Sequence, residues 1–488
     1  MGISLYTSKI IFQYLGVENF GIYEIVGGVV TIFIYLSAGL GGATSRYLTF
    51  ELGRKNFVRL RETFSVALLV HIFIGLIIVF LAETIGLWFL YEKLVIPADR
   101  ISAALWVYQI SILTAFITIV QVPYDSDIIA HEDMKIYAYL GMIEVILKLV
   151  VVLLLAYAPI DKLIFYSILL FAIRLLKMIF TQVYCIKKYE ESHFSFSKNK
   201  SLYKELFVYA GSDLIGSVSS IAQGQGMNIL LNLFFGPILN AARGISSQVH
   251  GAVFQFGNNF MTAVRPQIIK YYAEGDLNEM WRLVVQSSRL SFYMMLMICI
   301  PICLEANYIL SIWLGDFPPH TVAFLILVII FCLIQMIKIP RITIFHATGK
   351  ILKENITAGI VLCFAFPLAY IFLKLGGEPE CVFIASIISM LIAEIVSAFV
   401  LKSIIDFSVI QYFIKVHGTC FLVMGISFGI SYILYDSIMP PSFVRLLTTC
   451  VISTISIGVC SLYIGMNSSM RNMVYSTIKK KFLKVNKE

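Results

Sequence analysis

Apolar stretches long enough to cross a bilayer recur from one end of this chain to the other, and no other feature limits its fold so severely. A spanning helix needs roughly 17 to 25 predominantly apolar residues. Such stretches lie near 21–45, 64–90, 101–123, 136–158, 163–185, 206–235, 238–262, 287–312, 321–346, 356–375, 381–404, 411–435 and 442–466. One more, "MGISLYTSKIIFQYLG" at 1–16, is apolar but short and reads as the end of a first helix whose start is missing. In lipid every backbone N–H and C=O must be satisfied within the segment or a closed barrel, and runs of this length satisfy them as helices. Composition agrees: 59% of the 488 residues are hydrophobic and 14% charged, against about 25% charged in soluble domains. The expected fold class is all-α, a polytopic membrane protein of about fourteen transmembrane helices. No small-residue cleavage site follows a short apolar stretch, so no signal peptide is expected.

Charge orients the spans. If the first helix begins in the cytoplasm, 27 of the 37 Lys and Arg fall in cytoplasmic segments, chiefly 46–62, 186–204, 265–289, 338–353 and 468–488. Six fall on the other face: Lys93, Arg100, Lys162, Arg243, Lys374 and Arg445. This positive-inside bias places both termini in the cytoplasm. The net charge of +8 is thus a topological signal and not a nucleic-acid footprint. The nine cysteines form no CxxC pair and read as small apolar residues.

The chain also repeats itself. "YLGVENFGIY" (14–23) resembles "FFGPILNAARGI" (234–245), pairing Gly16 with Gly236. "ATSRYLTFELGRKNFVRL" (43–60) resembles "AVRPQIIKYYAEGDLNEMWRL" (263–283), pairing Arg46 with Arg265. "VPYDSDIIAHEDMKIYAYLG" (122–141) resembles "IPRITIFHATGKILKENITAG" (339–359), pairing Pro123 with Pro340. Three matches in one order at offsets of 220, 219 and 217 indicate an internal duplication. Six helices per copy return the chain to its starting side, so the copies are parallel, a plan shared by alternating-access transporters. The expected organisation is a six-helix bundle at 1–185, a cytoplasmic connector at 186–205, a second six-helix bundle at 206–405, two extra helices at 406–467 and a basic cytoplasmic tail at 468–488. The connector, with Phe194 and Phe196 among lysines, is expected on the cytoplasmic surface with an interfacial helix.

The acidic stretch after Pro123 invites a metal reading. His131-Glu132 has no second histidine at i+4, as a zincin helix requires, and the stretch is expected to be a solvated connector between helices; no metal and no cofactor is expected. Neither a phosphate loop nor a Ser/His/Asp grouping stands out, and no enzyme activity is expected.

Ionisable groups inside spans are costly and usually face a bundle interior or water. On the 238–262 helix and its continuation, Ser247, His250, Asn258 and Arg265 fall within about 60° of Arg243, a polar stripe with a positive charge near each end. The preceding helix carries Asp213, Ser217, Ser220, Gly224 and Asn228 on one side, and Asp213 is a candidate for pairing with a cavity cation or for taking up a coupling ion, proton or sodium. Lys9, Lys148, Arg174 and Lys177 add positive charge in the first copy. Lys148 sits one turn from Glu144 and can pair with it, while Arg174 and Lys177 have the placement of snorkelling residues. His71, Glu83, Glu305 and Glu394 stand isolated in sequence.

The stretches "LGVENFGIYEIVGGVVTIFIYLSAGLGGATSRYLTFELG", "VPYDSDIIAHEDMKIYAYLG", "QGMNILLNLFFGPILNAARGISSQV" and "NNFMTAVRPQIIKYYAEGD" resemble the Wzx-type polysaccharide flippases. These form the PST branch of the multidrug/oligosaccharidyl-lipid/polysaccharide exporter superfamily. The resemblance covers nearly the whole chain and implies two bundles around a central cavity. It further implies monomeric translocation of an undecaprenyl-pyrophosphate-linked anionic oligosaccharide, for surface polysaccharide such as O-antigen, across the bacterial cytoplasmic membrane. Substrate-binding residues implied are Arg243, Arg265, Lys9, His250, Asn258 and Arg46, with Asp213, Glu144 and Lys148 as coupling or ion-pair residues. Lys9 stands where arginine is expected, which keeps the charge and loses the planar fork. A cation-coupled drug exporter or a lipid II flippase of the same superfamily is the alternative. A membrane glycosyltransferase or polymerase fits less well, because every outer loop is short.

Overall fold

A computed structural model describes residues 2–35, 38–197, 199–205, 221–438, 440–466 and 471. The described residues are helical, with no strand among them, and include eleven helices long and apolar enough to cross a membrane. The chain is an all-helical, multi-pass membrane protein. Eleven and fourteen are reconciled locally. The stretches 1–16 and 21–45 join in one helical run, Gly2–Tyr35, followed by Ala38–Gly53. Residues 206–220 lie outside the described residues. Pro237–Ala273 is a helix of 37 residues, but its polar stripe lowers its mean hydropathy and keeps it off the count of apolar spans.

Backbone conformations match at the positions that the sequence repeat pairs. Gly16 interrupts its helical run at φ 76°, ψ 168°, and Gly236 separates Met227–Phe235 from Pro237–Ala273 at φ 80°, ψ −176°. Both conformations belong to glycine. The turns that follow match as well. Lys55 (φ 57°) pairs with Gly275 (φ 79°), and Glu132 (φ 54°) with Gly349 (φ 69°). After the first of these turns Asn56 caps the next helix by accepting from Arg59 N at 3.1 Å, and Asp276 does the same for Glu279 N at 3.1 Å. A side-chain oxygen at this position takes an amide that the first turn leaves without a helical acceptor.

Contacts gather the chain into two compact units. The first holds Met1–Ser246, Asp316–Phe324 and Gly359–Ser389; the second holds Ser247–Gly315, Leu325–Ala358 and Met390–Glu488. Ile101–Ala130 is the hub of the first, packing against Lys162–Lys188, Phe57–Leu81, Ala38–Gly53 and Gly2–Tyr35. Leu48, Leu60, Phe64, Val120, Tyr124 and Ile128 close a buried core there. Tyr108, fully buried, donates its hydroxyl to Ala82 O at 2.7 Å, where a π-turn spans Ala82–Gly86. Met134–Leu155 turns Met142, Ile146 and Leu153 outward, and Lys162–Lys188 does so with Leu176, Ile179 and Phe180. Such surfaces suit lipid chains and not water.

The second unit is held by buried ion pairs. Arg341, fully buried, reaches Glu394 through Nε (3.2 Å) and Nη2 (2.8 Å), and its Nη1 donates to Ser397 Oγ at 2.6 Å. Ser397 in turn donates to Glu354. Arg445 holds Glu305 through two bonds of 2.8 and 2.7 Å. The expectation that Glu305 and Glu394 are isolated is therefore corrected. Their partners lie 140 and 53 residues away, beyond the reach of any local pattern. One other reading is corrected. The 101–123 helix does not close at Pro123 but runs on to Ala130, so Asp125 and Asp127 are helical and Asp127 is fully buried, while Glu132 is exposed in the turn that follows. The 186–205 segment holds the end of Lys162–Lys188, a short 3-10 turn at Glu190–Ser192 and helix at 200–205, and it buries Glu191, Ser192 and Ser197 while exposing Phe194 and Phe196.

Removing one partner of a buried pair strands the other charge, at a cost of about 3–5 kcal/mol. Glu394→Gln is expected to lower the midpoint of heat-induced aggregation in detergent sharply. The double change Arg341→Met, Glu394→Leu is expected to recover most of the loss. An unchanged midpoint for Glu394→Gln would show that the pair carries no stability.

Candidate functional site

The first unit contains a cavity of about 340 Å³ whose walls combine charge with small polar groups. Gly2–Tyr35 contributes Tyr23, Glu24, Gly27, Gly28 and Thr31; Ile101–Ala130 contributes Ser111 and Thr114; Gln225 comes from the second copy. The remaining wall is charged. Glu144 and Lys148 project from Met134–Leu155, and Arg174 from Lys162–Lys188. Glu144 accepts from Lys148 Nζ at 2.8 Å on one oxygen and from Lys177 Nζ at 2.8 Å on the other, with Arg174 Nη1 at 3.9 Å. Three cations thus surround one carboxylate. Lys148 and Arg174 keep 48% and 36% of their side chains exposed, which leaves them able to meet a further anion. Arg174 and Lys177 do not simply reach for the interface, as their sequence position had suggested; they converge on Glu144.

Glu24, on the wall of the same cavity, has a charged partner of its own. Arg243 interacts electrostatically with Glu24, and its Nη2 donates to Gly224 O at 2.7 Å. That carbonyl is accessible because Ala222–Gly226 forms a π-turn, where the regular i→i−4 ladder is broken. Arg243 Nε is buried without a hydrogen-bond partner. Next to it, asparagines knit the first unit together. Asn228 Nδ2 donates to Glu24 O at 3.1 Å, and Asn240 Nδ2 donates to both oxygens of Asn228 at 2.7 Å. Asn232 Nδ2 bridges to Asn240 Oδ1 at 3.1 Å and to Val95 O at 3.2 Å, and its Oδ1 accepts from Val95 N at 2.8 Å. Asn232 and Asn240 escaped the sequence reading, as did Glu24. A carboxylate inside an apolar stretch was the available signal for the last.

Close backbone approach makes this arrangement possible. A Cβ on Gly244 would stand 2.8 Å from Glu24 Cγ, and one on Gly21 would stand 1.9 Å from the carbonyl oxygen of Pro237.

The other expected site residues are dispersed. His250 Nε2 lies 3.2 Å from Gln335 Oε1, and Arg265 Nη2 donates to Asn258 Oδ1 at 3.0 Å, both within the second unit. Arg243 and Arg265 are 22 residues apart on one helix, roughly 33 Å of rise, so one compact anion reaches one of them and not both. Lys9 is half-buried and Arg46 exposed in the first unit. Asp213 lies outside the described residues.

The comparisons with known proteins agree on a fold. The MatE family profile matches residues 3–154. No curated protein sequence gives a significant match. A solved structure of the lipid II flippase MurJ in an inward closed conformation is similar at a TM-score of 0.72 and 12% identity, covering 94% of this chain and 95% of that one. An inward-facing multidrug resistance MATE family transporter of the MOP superfamily is similar at 0.69 and 15% identity, covering 82% and 94%. A MOP superfamily transporter from Pyrococcus furiosus, described as having a binding pocket of reverse polarity, is similar at 0.52 and 14% identity, covering 85% and 96%. The chain has the MOP superfamily transporter fold.

Gly21→Ala forces a methyl group into a backbone carbonyl that has no rotamer to yield, and overpacking of this kind costs about 1–3 kcal/mol or more. Gly27→Ala places its methyl group in open space. The first change is expected to lower the aggregation midpoint of the purified protein and the second to leave it unchanged or slightly raised.

Proposed function

We propose that this protein is a flippase that carries an undecaprenyl-pyrophosphate-linked oligosaccharide across the cytoplasmic membrane by alternating access. The observation that carries the reading is the grouping of Lys148, Arg174 and Lys177 around Glu144, with Lys148 and Arg174 lining the cavity itself. Glu24, the other carboxylate of the wall, has Arg243 as its electrostatic partner. A pyrophosphate cannot enter hydrocarbon unaided. Fixed cations compensate its charge, and the exposed Lys148 and Arg174 are placed to do so. Tyr23, Ser111, Thr114 and Gln225 offer a ring face and hydrogen bonds to a sugar. Similarity to a lipid II flippase over 94% of the chain supports a lipid-linked cargo. No covalent chemistry is needed. Glu24, a carboxylate between the cavity and Arg243, is the group best placed to exchange a coupling proton.

A cation-coupled drug exporter is the second reading, supported by the similarity to a multidrug transporter. A pocket for cationic drugs would favour carboxylates and aromatic rings, and here the half-exposed Lys148 and Arg174 face the cavity. The two readings separate in one experiment. Lys148→Ala with Arg174→Ala is expected to reduce surface glycan at least tenfold in a complemented flippase-deficient strain, at unchanged membrane level, with no effect on resistance to cationic compounds. Drug resistance conferred without glycan export would overturn the flippase reading.

The orientation belongs to the same proposal, and the excess of Lys and Arg on one face supports it. Phe196, 70% exposed on the connector, reports it directly. A single cysteine placed there, in a chain with its own cysteines replaced, is expected to react with an impermeant maleimide only after the cells are permeabilised.

A further inference from the structure

We infer that Asp127, His131 and Glu191 form a binding site for a divalent transition-metal ion of the zinc class, apart from the cavity and independent of the function proposed for it. The three residues come from two parts of the chain. Asp127 lies in the last turn of Ile101–Ala130, His131 is its C-cap, and Glu191 belongs to the 3-10 turn of the connector. Each offers one ligand atom, and the three atoms lie within 4.8 Å of one another. His131 Nε2 stands 2.5 Å from Glu191 Oε1 and 3.9 Å from Asp127 Oδ1.

Several observations point to an ion and not to a self-contained hydrogen-bonded cluster. Asp127 is fully buried, and its Oδ1, the oxygen turned toward His131, has no hydrogen-bond partner. A buried carboxylate oxygen left so is costly. Its other oxygen is already oriented by Ser192 Oγ at 2.5 Å, as the outer partners of a metal ligand are. The His131 ring is held flat against Tyr189, with centroids 4.1 Å apart and planes 5° from parallel. One imidazole and two carboxylates suit a zinc-class ion, which takes such donors at about 2.0–2.2 Å and leaves a fourth position for water. Tetrahedral bonds of that length separate ligand atoms by about 3.3 Å. The His131–Glu191 contact would therefore open by under 1 Å and the Asp127–His131 distance would shorten.

The duplication supplies a control within the same chain. At the offset of 217, the positions matching Asp127, His131 and Glu132 are Ile344, Thr348 and Gly349. The second copy makes the corresponding left-handed turn at Gly349 without this acid and histidine. The cluster is therefore not required to build the turn. What the first copy adds is a tether between the end of its central helix and the segment leading to the second copy.

The test uses the full chain purified in detergent on a tag without histidine, stripped with chelator, loaded with zinc ion and desalted. Elemental analysis is expected to find one zinc per chain more in the wild type than in His131→Gln or Glu191→Gln. Zinc, and not magnesium, is expected to raise the aggregation midpoint of the wild type while leaving those of both variants unmoved. His320→Gln, at the separate His320–Glu380 pair, is expected to behave as wild type. Equal zinc content in wild type and both variants, or no zinc-dependent shift in the wild type, would overturn the site. The His131→Gln variant remains informative if Asp127→Asn fails to fold, since His131 keeps 24% of its side chain exposed.

Discussion

A charge taken out of water must find its opposite, and in a chain this apolar that requirement decides which helices can pack together. Arg341 with Glu394, Arg445 with Glu305, and Glu144 among Lys148, Lys177 and Arg174 are each assembled from separate helices. Apolar side chains distinguish poorly between lipid tails and another helix, so they do little to specify partners within a membrane. The ion pairs do specify them, because a mispaired helix would leave a bare guanidinium or carboxylate in hydrocarbon.

Much of the architecture was legible in the sequence. Span positions follow from the length and polarity of apolar runs, and most were placed within a few residues of the observed helices. The pairing of Gly16 with Gly236 was visible as text and has a physical counterpart in matched left-handed backbone. Helix ends were harder. Pro123 reads as a terminator, yet the helix continues for seven residues beyond it, because a proline removes one hydrogen bond and neighbouring helices can support the remainder. The polarity after Pro123 was equally misleading: Asp127 looks like a residue for water and is buried, since its partners arrive from the connector some 60 residues later.

Site residues were legible only where both partners lie on one helix. Glu144 with Lys148 is an i,i+4 pair and could be read directly. The additional convergence of Lys177 and Arg174 depends on how two helices meet. Arg243 was picked out by its charge, whereas Glu24, its electrostatic counterpart, was passed over inside an apolar stretch from the other copy. An electrostatic partner so far along the chain has no periodic signature, because helical spacing relates only near neighbours.

The turns at Glu132 and Gly349 show how two descendants of one segment can diverge without changing shape. A left-handed residue costs an ordinary L-amino acid about 1–2 kcal/mol and glycine almost nothing. One descendant has taken the relaxed solution; the other keeps a side chain there and bears the strain beside its buried acid and histidine. The first turn thereby ties the end of its helix to the connector through His131 and Glu191, while the second makes the same bend on a glycine.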